Sequence, residues 1–317
     1  MLQNFLTHSS WDYRPVMDRA AHHAGGLVGG KIGTGLYIDE SAFAKKGDQS
    51  VGVAGQWNGR LGKQDNCQVR VFGALRRRDR AALVDARLYL PKDWTDDPRR
   101  CEPADVPRAE QIHRTKLQLA HEIIRHAREF GVRFERVGAD GGHGSALQFP
   151  QSLQEQGKTF LADIHSDRHI YLNDPAPYVP PQGLCRARVR YHRDAQTIEV
   201  SKWVKKQPAS AGRRNTLRST TKGELIVDVL HRRVWLWDRH SATALCWHLI
   251  VRREVGPPGT IKCSLCNARA ATSAVKLARR QAQRFWIELF RMPRVISVSL
   301  NIKLGNGSPG IATWLWS

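Results

Sequence analysis

Nowhere in the chain do about 18 apolar residues follow one another, the length a helix needs to cross a bilayer. The first residues carry no short apolar core of a secretion signal, and there is no lipid-attachment motif or basic amphipathic helix. A membrane role is therefore excluded on this reading, and a cytoplasmic protein is expected. Cysteine is sparse. Six are scattered over 317 residues, at Cys67, Cys101, Cys185, Cys246, Cys263 and Cys266, which argues against a disulfide scaffold and for reduced thiols. Cys263 and Cys266 have the spacing of half a zinc site, yet no second pair follows. The nearest complements, His231 and His248, stand at no standard spacing, so ordinary thiols are expected. Acidic residues are the other shortage: 29 Asp and Glu face 50 Lys and Arg, for a formal charge of +21 and a pI near 10.3. Beyond Arg269 the sole acid is Glu288. A basic excess spread along the whole chain is the footprint of a polyanion binder, which points to DNA and to association with the nucleoid.

What is present suffices for a folded core: 41% of residues are hydrophobic, and the length allows one large or two ordinary domains. Residues 1–30 read as a helical segment that Gly25-Gly26 and Gly29-Gly30 should end. An apolar run then leads to Asp39, read as the last residue of a buried strand before the Lys45-Lys46-Gly47 turn. Strands are expected at 50–54, 67–75 and 81–90, and a helix with a strong apolar stripe at 116–130. A short strand at 132–139 delivers Asp140 into the flexible Gly141-Gly142-His143-Gly144, followed by a helix at 146–156 and a strand at 159–164. Antiparallel strands, helix, strand, helix, strand is the skeleton of an RNase H-like α/β domain, a mixed sheet flanked by helices.

The expected division is a core from 31 to 164, a mainly β insertion at 165–270, a core helix at 271–290, and an aberrant tail at 291–317. The insertion carries Pro and Gly breaks between short β-rich runs. Its basic residues, Lys202, Lys205, Lys206, Arg213 and Arg214 among them, are candidates for phosphate contacts, as are Lys45, Lys46 and Lys63. Its Trp residues are read chiefly as core. Asp65, Asp85, Asp163 and Asp228 lie near apolar runs and are read as turn or surface residues.

A strand-end Asp is most often a turn former. Two of them with a helical Glu form a different case, because Asp39, Asp140 and Glu288, far apart in sequence, converge in this topology. Carboxylate oxygens suit two Mg²⁺ (or Mn²⁺) ions, as in metal-assisted phosphoryl transfer on a polyanion.

These residues carry a family resemblance. Ile38-Asp39-Glu40-Ser41-Ala42-Phe43-Ala44-Lys45-Lys46-Gly47, with Ser50-Val51-Gly52-Val53-Ala54 and Leu61-Gly62-Lys63-Gln64-Asp65-Asn66-Cys67-Gln68-Val69, resembles the segment around the first catalytic Asp of DDE-type insertion-sequence transposases. Val137-Gly138-Ala139-Asp140-Gly141-Gly142-His143-Gly144 resembles the segment of the second Asp, and Arg284-Phe285-Trp286-Ile287-Glu288 the helix that presents the Glu, with Arg284 at its DNA-contacting position. The resemblance runs from about residue 2 to residue 288. It implies a transposase, an endonuclease and polynucleotidyl transferase of a mobile element. Such an enzyme cleaves DNA at terminal inverted repeats and transfers the 3′-hydroxyl into target DNA, acting as a homodimer on paired ends.

The chain departs from that pattern at His143 (usually Tyr), Gln281 (Tyr) and Val295 (Lys). After Glu288 the resemblance stops, and codons permitted by residues 290–296, read two bases later, spell Pro-Asp-Ala-Lys-Ser-His, as the family would continue. A frameshift after Glu288 and a shortened amino end are therefore expected, which raises the prospect of an inactive remnant. The alternatives are a catalytically silent DNA-binding protein, and an RNase H-like nuclease without strand transfer.

Overall fold

The computed structural model describes residues 14–78, 80–104, 106–179, 195–220, 223–256, 259–284 and Ile287. Residues 1–13, Cys185, Glu288 and the 291–317 tail, all subjects of expectations above, lie outside the described residues. The chain forms two compact units, one of Arg136–Arg284 and one of the residues flanking it.

In the flanking unit, β1 (Gly35–Ala44) and β3 (Lys63–Arg77) are antiparallel partners from Gly35 opposite Arg76 to Ala44 opposite Cys67. The other edge of β3 is shared. β2 (Val53–Asn58) pairs with its first residues and β4 (Arg80–Leu88) with its later ones. Two helices, α1 (Arg14–Val28) and α2 (Lys116–Glu129), pack on these strands. A capping box starts α2: Thr115 Oγ1 accepts from Gln118 N–H, and the Gln118 side chain accepts from Thr115 N–H at 2.7 Å. Its stripe of Leu119, Ala120, Ile123, Ile124 and Ala127 is buried as the periodicity indicated, each large aliphatic chain contributing about 1.5–3 kcal/mol. At Gly73 of β3 a Cβ would lie 2.4 Å from Ile123, so this glycine lets α2 approach the sheet.

Several boundaries differ from expectation: the strand expected at 50–54 lies at Val53–Asn58, and the one expected at 132–139 is confined to Arg136–Ala139. β1 does not stop at Asp39 but runs five residues further, to Ala44, so Asp39 sits mid-strand. Glu40, which follows the expected strand end, instead lies within the strand and is paired with Lys116 Nζ at 2.8 Å. α1 passes through Gly25 and Gly26, because Gly25 faces Val132 with only 3.3 Å for a Cβ. It ends at Val28, before Gly30 at φ 71°.

In the Arg136–Arg284 unit, β5 (Arg136–Ala139) is parallel to β6 (Thr159–Ile164), linked through a single helical turn, Gly141–Gly144, and α3 (Gln148–Glu155). The β-rich stretch expected at 165–270 supplies β7 (His169–Tyr171), β8 (Thr197–Glu199), β9 (Arg213–Thr220), β10 (Gly223–Leu236), β11 (Leu245–Glu254) and β12 (Ile261–Cys266). β12 pairs directly with β6, Ser264 opposite Asp163, so these strands extend the sheet that β5 and β6 begin. β10 runs unbroken from Gly223 to Leu236, through the polar residues His231, Arg232 and Arg233. This polar interval is accommodated because Arg233 donates to Cys246 O at 2.9 Å and His231 pairs with His248 at 2.7 Å. The short helix α4 (Val200–Lys205) follows β8, and α5 (Ala274–Ala282) closes a core of Leu161, Val227, Val229, Ile250, Leu277 and Ala278.

Antiparallel strands leading into a parallel β-α-β step, with flanking helices, make this an RNase H-like mixed α/β fold. Among the described residues no helix is long and apolar enough to cross a membrane.

Candidate active site

Alternation along β1 places Tyr37 and Asp39 on one face and Ile38 on the other, where α2 packs. Asp39 lies opposite Phe72 and is 1% exposed, and its Oδ1 accepts from the Glu40 N–H at 2.9 Å. Tyr37 on the same face joins Ala74 and Leu83 in a cluster completed by Ile287, which is 3% exposed. The residue immediately before Glu288 is thereby seated on the sheet face that carries Asp39.

Asp140 follows the end of β5, as expected, and caps the helical turn Gly141–Gly144. Its Oδ1 accepts twice from His143: from the backbone N–H at 3.0 Å and from ring Nδ1 at 2.5 Å. A carboxylate only accepts, so Nδ1 carries the proton. Burial works to raise the pKa of Asp140, but the His143 hydrogen bonds and charge, with Arg284 nearby, outweigh it. The group is held well below the usual carboxylate range and is ionised at neutral pH. The turn is pressed onto β6 so closely that a Cβ on Gly144 would meet Asp163 O at 2.0 Å.

Arg284, expected at DNA, is 9% exposed, and its Nε donates to Asp163 Oδ2 at 2.8 Å. Ser264 Oγ donates to Asp163 Oδ1 at 2.5 Å and itself accepts from Gln281 Nε2 at 2.6 Å. Asp163 is thus the hub of a largely buried network joining β6, β12 and the end of α5, and not a surface residue. Asp85 is also corrected. It is fully buried and paired with Arg87 at 2.9 Å. Asp228 is the partner of Arg214 at 3.1 Å, and Asp65 accepts from Asn58 at 3.3 Å.

Of the basic candidates, Lys46, Lys63, Lys205, Lys206 and Arg213 are exposed. Lys202 is exposed but paired with Glu199 at 2.8 Å. Lys45 is partly buried, and burial together with Arg70 lowers its pKa. Trp203, Trp237 and Trp247 are core, as read. Cys263 and Cys266 sit three apart on β12 and so point to opposite faces, which precludes a shared ion. Burial pushes both thiols up to about 11.

Asp39 in one unit and Asp140 in the other each offer hard oxygen donors of the kind that suits Mg²⁺ or Mn²⁺, and Asp140 Oδ2 accepts no hydrogen bond among the described residues. Among those residues no three His, Cys, Asp or Glu are grouped to hold an ion, and Glu288 lies outside them. Sequence reasoning missed His143 as the partner of Asp140. The signal was its place three residues beyond an N-cap Asp, where a side chain folds back on the cap.

The chain thus combines an RNase H-like α/β core, Asp39 within β1 and Asp140 just after β5, with a formal charge of +21. The chain belongs to the DDE superfamily endonucleases, a family that matches residues 1–224. It is also similar to a probable transposase for insertion sequence element IS701 from Microchaete diplosiphon, with 28% identity over 172 residues. That alignment covers 53% of this chain and 41% of the relative, so the chain spans less than half of the relative's length.

Proposed function

We propose that this protein is an insertion-sequence transposase in which Asp39, Asp140 and Glu288 hold two divalent cations, Mg²⁺ or Mn²⁺, and act on double-stranded DNA. The observation that carries the reading is the packing of Ile287 against Tyr37 and Ala74, which brings the chain beside Glu288 to the face of β1 bearing Asp39.

Cleavage forms a bond from a water oxygen to phosphorus and breaks the bond from phosphorus to O3′, the proton passing to the leaving 3′ oxygen. In strand transfer the freed 3′-hydroxyl oxygen takes the place of water on a target phosphate. A bound Mg²⁺ or Mn²⁺ supplies activation of the attacking oxygen and neutralisation of the leaving one. The chain's residues do the rest. Asp140, ionised through its His143 bonds, presents oxygen without having to lose a proton. Lys46, Lys63, Lys205, Lys206 and Arg213, exposed and free of the ion pairs that hold Lys202 and Arg214, are the groups proposed to neutralise backbone phosphates. Terminal inverted repeats and target DNA as substrates, a homodimer on paired ends and residence at the nucleoid complete the reading.

The test is incubation of the purified protein with a plasmid carrying the DNA that flanks its own gene. Mg²⁺-dependent nicking and 3′-end joining, abolished by Asp140→Ala, are expected. Metal-independent binding without cleavage would establish a silent DNA-binding protein instead, and cleavage without joining a nuclease.

A further inference from the structure

We infer that His143 is the positioning residue of Asp140, fixing that carboxylate so that Oδ2 alone faces a metal ion. The inference rests on Asp140 being a metal-binding carboxylate. Both donors of His143, ring Nδ1 at 2.5 Å and backbone N–H at 3.0 Å, converge on Oδ1. Oδ2 accepts no hydrogen bond among the described residues, so the two oxygens are chemically unequal. A carboxylate otherwise turns freely about its last torsion, which is broad and roughly two-fold. Two donors on one oxygen remove that freedom, and a ligand that keeps one orientation gives up less entropy on binding.

The donor itself cannot swing away. The His143 ring is 2% exposed and lies edge-on to Phe149 with centroids 5.6 Å apart. The backbone beneath it is locked against β6, where Gly144 leaves no room for a Cβ beside Asp163 O.

Two substitutions in the full chain separate positioning from packing. His143→Asn keeps an amide donor near the place of Nδ1 and loses the ring, whereas His143→Phe keeps the ring and loses the donor. Mn²⁺ is titrated into each folded variant and followed by electron paramagnetic resonance, with Asp140→Asn as reference. Positioning predicts that His143→Asn binds Mn²⁺ within about threefold of the parent and that His143→Phe binds about 10–100-fold more weakly. The inference is overturned if His143→Phe binds as the parent does, if His143→Asn is the weaker of the two, or if Asp140→Asn leaves Mn²⁺ binding unchanged. Should His143→Phe fail to fold, His143→Leu takes its place with the same expectation. DNA cleavage assayed in parallel keeps the two claims apart. A parent that cleaves while His143→Phe binds Mn²⁺ normally sinks the positioning role alone, and a parent that never cleaves while the Mn²⁺ order holds sinks the transposase reading alone.

Discussion

Arg284 and Asp163 are joined by a hydrogen-bonded ion pair of 2.8 Å, with side chains 11% and 13% exposed. The pair ties the residue after the α5 cap to β6, and Ser264 donates to Asp163 while itself accepting from Gln281. Removing one partner leaves the other charge without its counter-ion in a place with little water. Arg284→Ala is expected to lower stability by about 3 kcal/mol in urea denaturation. Because the guanidinium is engaged with Asp163, the salt dependence of DNA binding should keep its slope. A phosphate-contacting arginine would reduce that slope by about one.

A second charged cluster makes stability depend on pH. His126 Nε2 is 2.7 Å from Asp18, and Nδ1 makes an ion-pair contact of 3.0 Å with the buried Asp85. Asp85 first, and Asp18 with it, raise the His126 pKa against the opposing effect of burial. A raised folded-state pKa means the native protein holds the proton longer than the unfolded chain does. The stabilisation is therefore complete below about pH 6.5, the unfolded value, and disappears as pH rises through the higher folded value. Urea midpoints should fall as pH rises above about 6.5, and His126→Gln should flatten that dependence.

Gly144→Ala places a methyl group 2.0 Å from Asp163 O, a backbone atom that cannot yield cheaply. The expected cost is about 1–3 kcal/mol, together with displacement of the turn that holds Asp140. Unfolding measures the first. Weakened Mn²⁺ binding in the fraction that remains folded measures the second.

Cys263 and Cys266 should resist alkylation. With both thiols pushed up to about 11 by burial, iodoacetamide near pH 8 meets almost no thiolate. Mass spectrometry should find both residues unmodified until denaturant is added, and rapid modification in the native state would contradict their placement in β12.

Much of this fold was legible because its elements follow local rules. The stripe of α2, the span of β6 and the delivery of Asp140 by β5 all read directly from apolar periodicity and glycine breaks. What failed to read were the interactions that cross the sequence. Asp39 looked like a strand end because Lys116, the partner of the Glu40 that follows it, is remote, and Asp163 looked like a turn or surface residue because Arg284 lies 121 positions away. The buried Asp85 was hidden in the same way, since His126 and Asp18 come from two different helices. For the site, the residue types were legible, but the face each occupies had to come from pairing register: Asp39 opposite Phe72, and Tyr37 opposite Ala74 beneath Ile287.

The central claim is that Asp39, Asp140 and Glu288 together form one site for two divalent cations, and iron-directed backbone cleavage tests it most directly. Fe²⁺ replaces Mg²⁺ in the full-length protein, and ascorbate with peroxide generates hydroxyl radicals at the bound ion, cutting the chain beside its ligands. The account predicts three cuts, next to Asp39, Asp140 and Glu288, all suppressed by excess Mg²⁺ and lost together in Asp140→Asn. Cuts that spare Asp39 or Asp140, or a pattern that Asp140→Asn leaves unchanged, would contradict it.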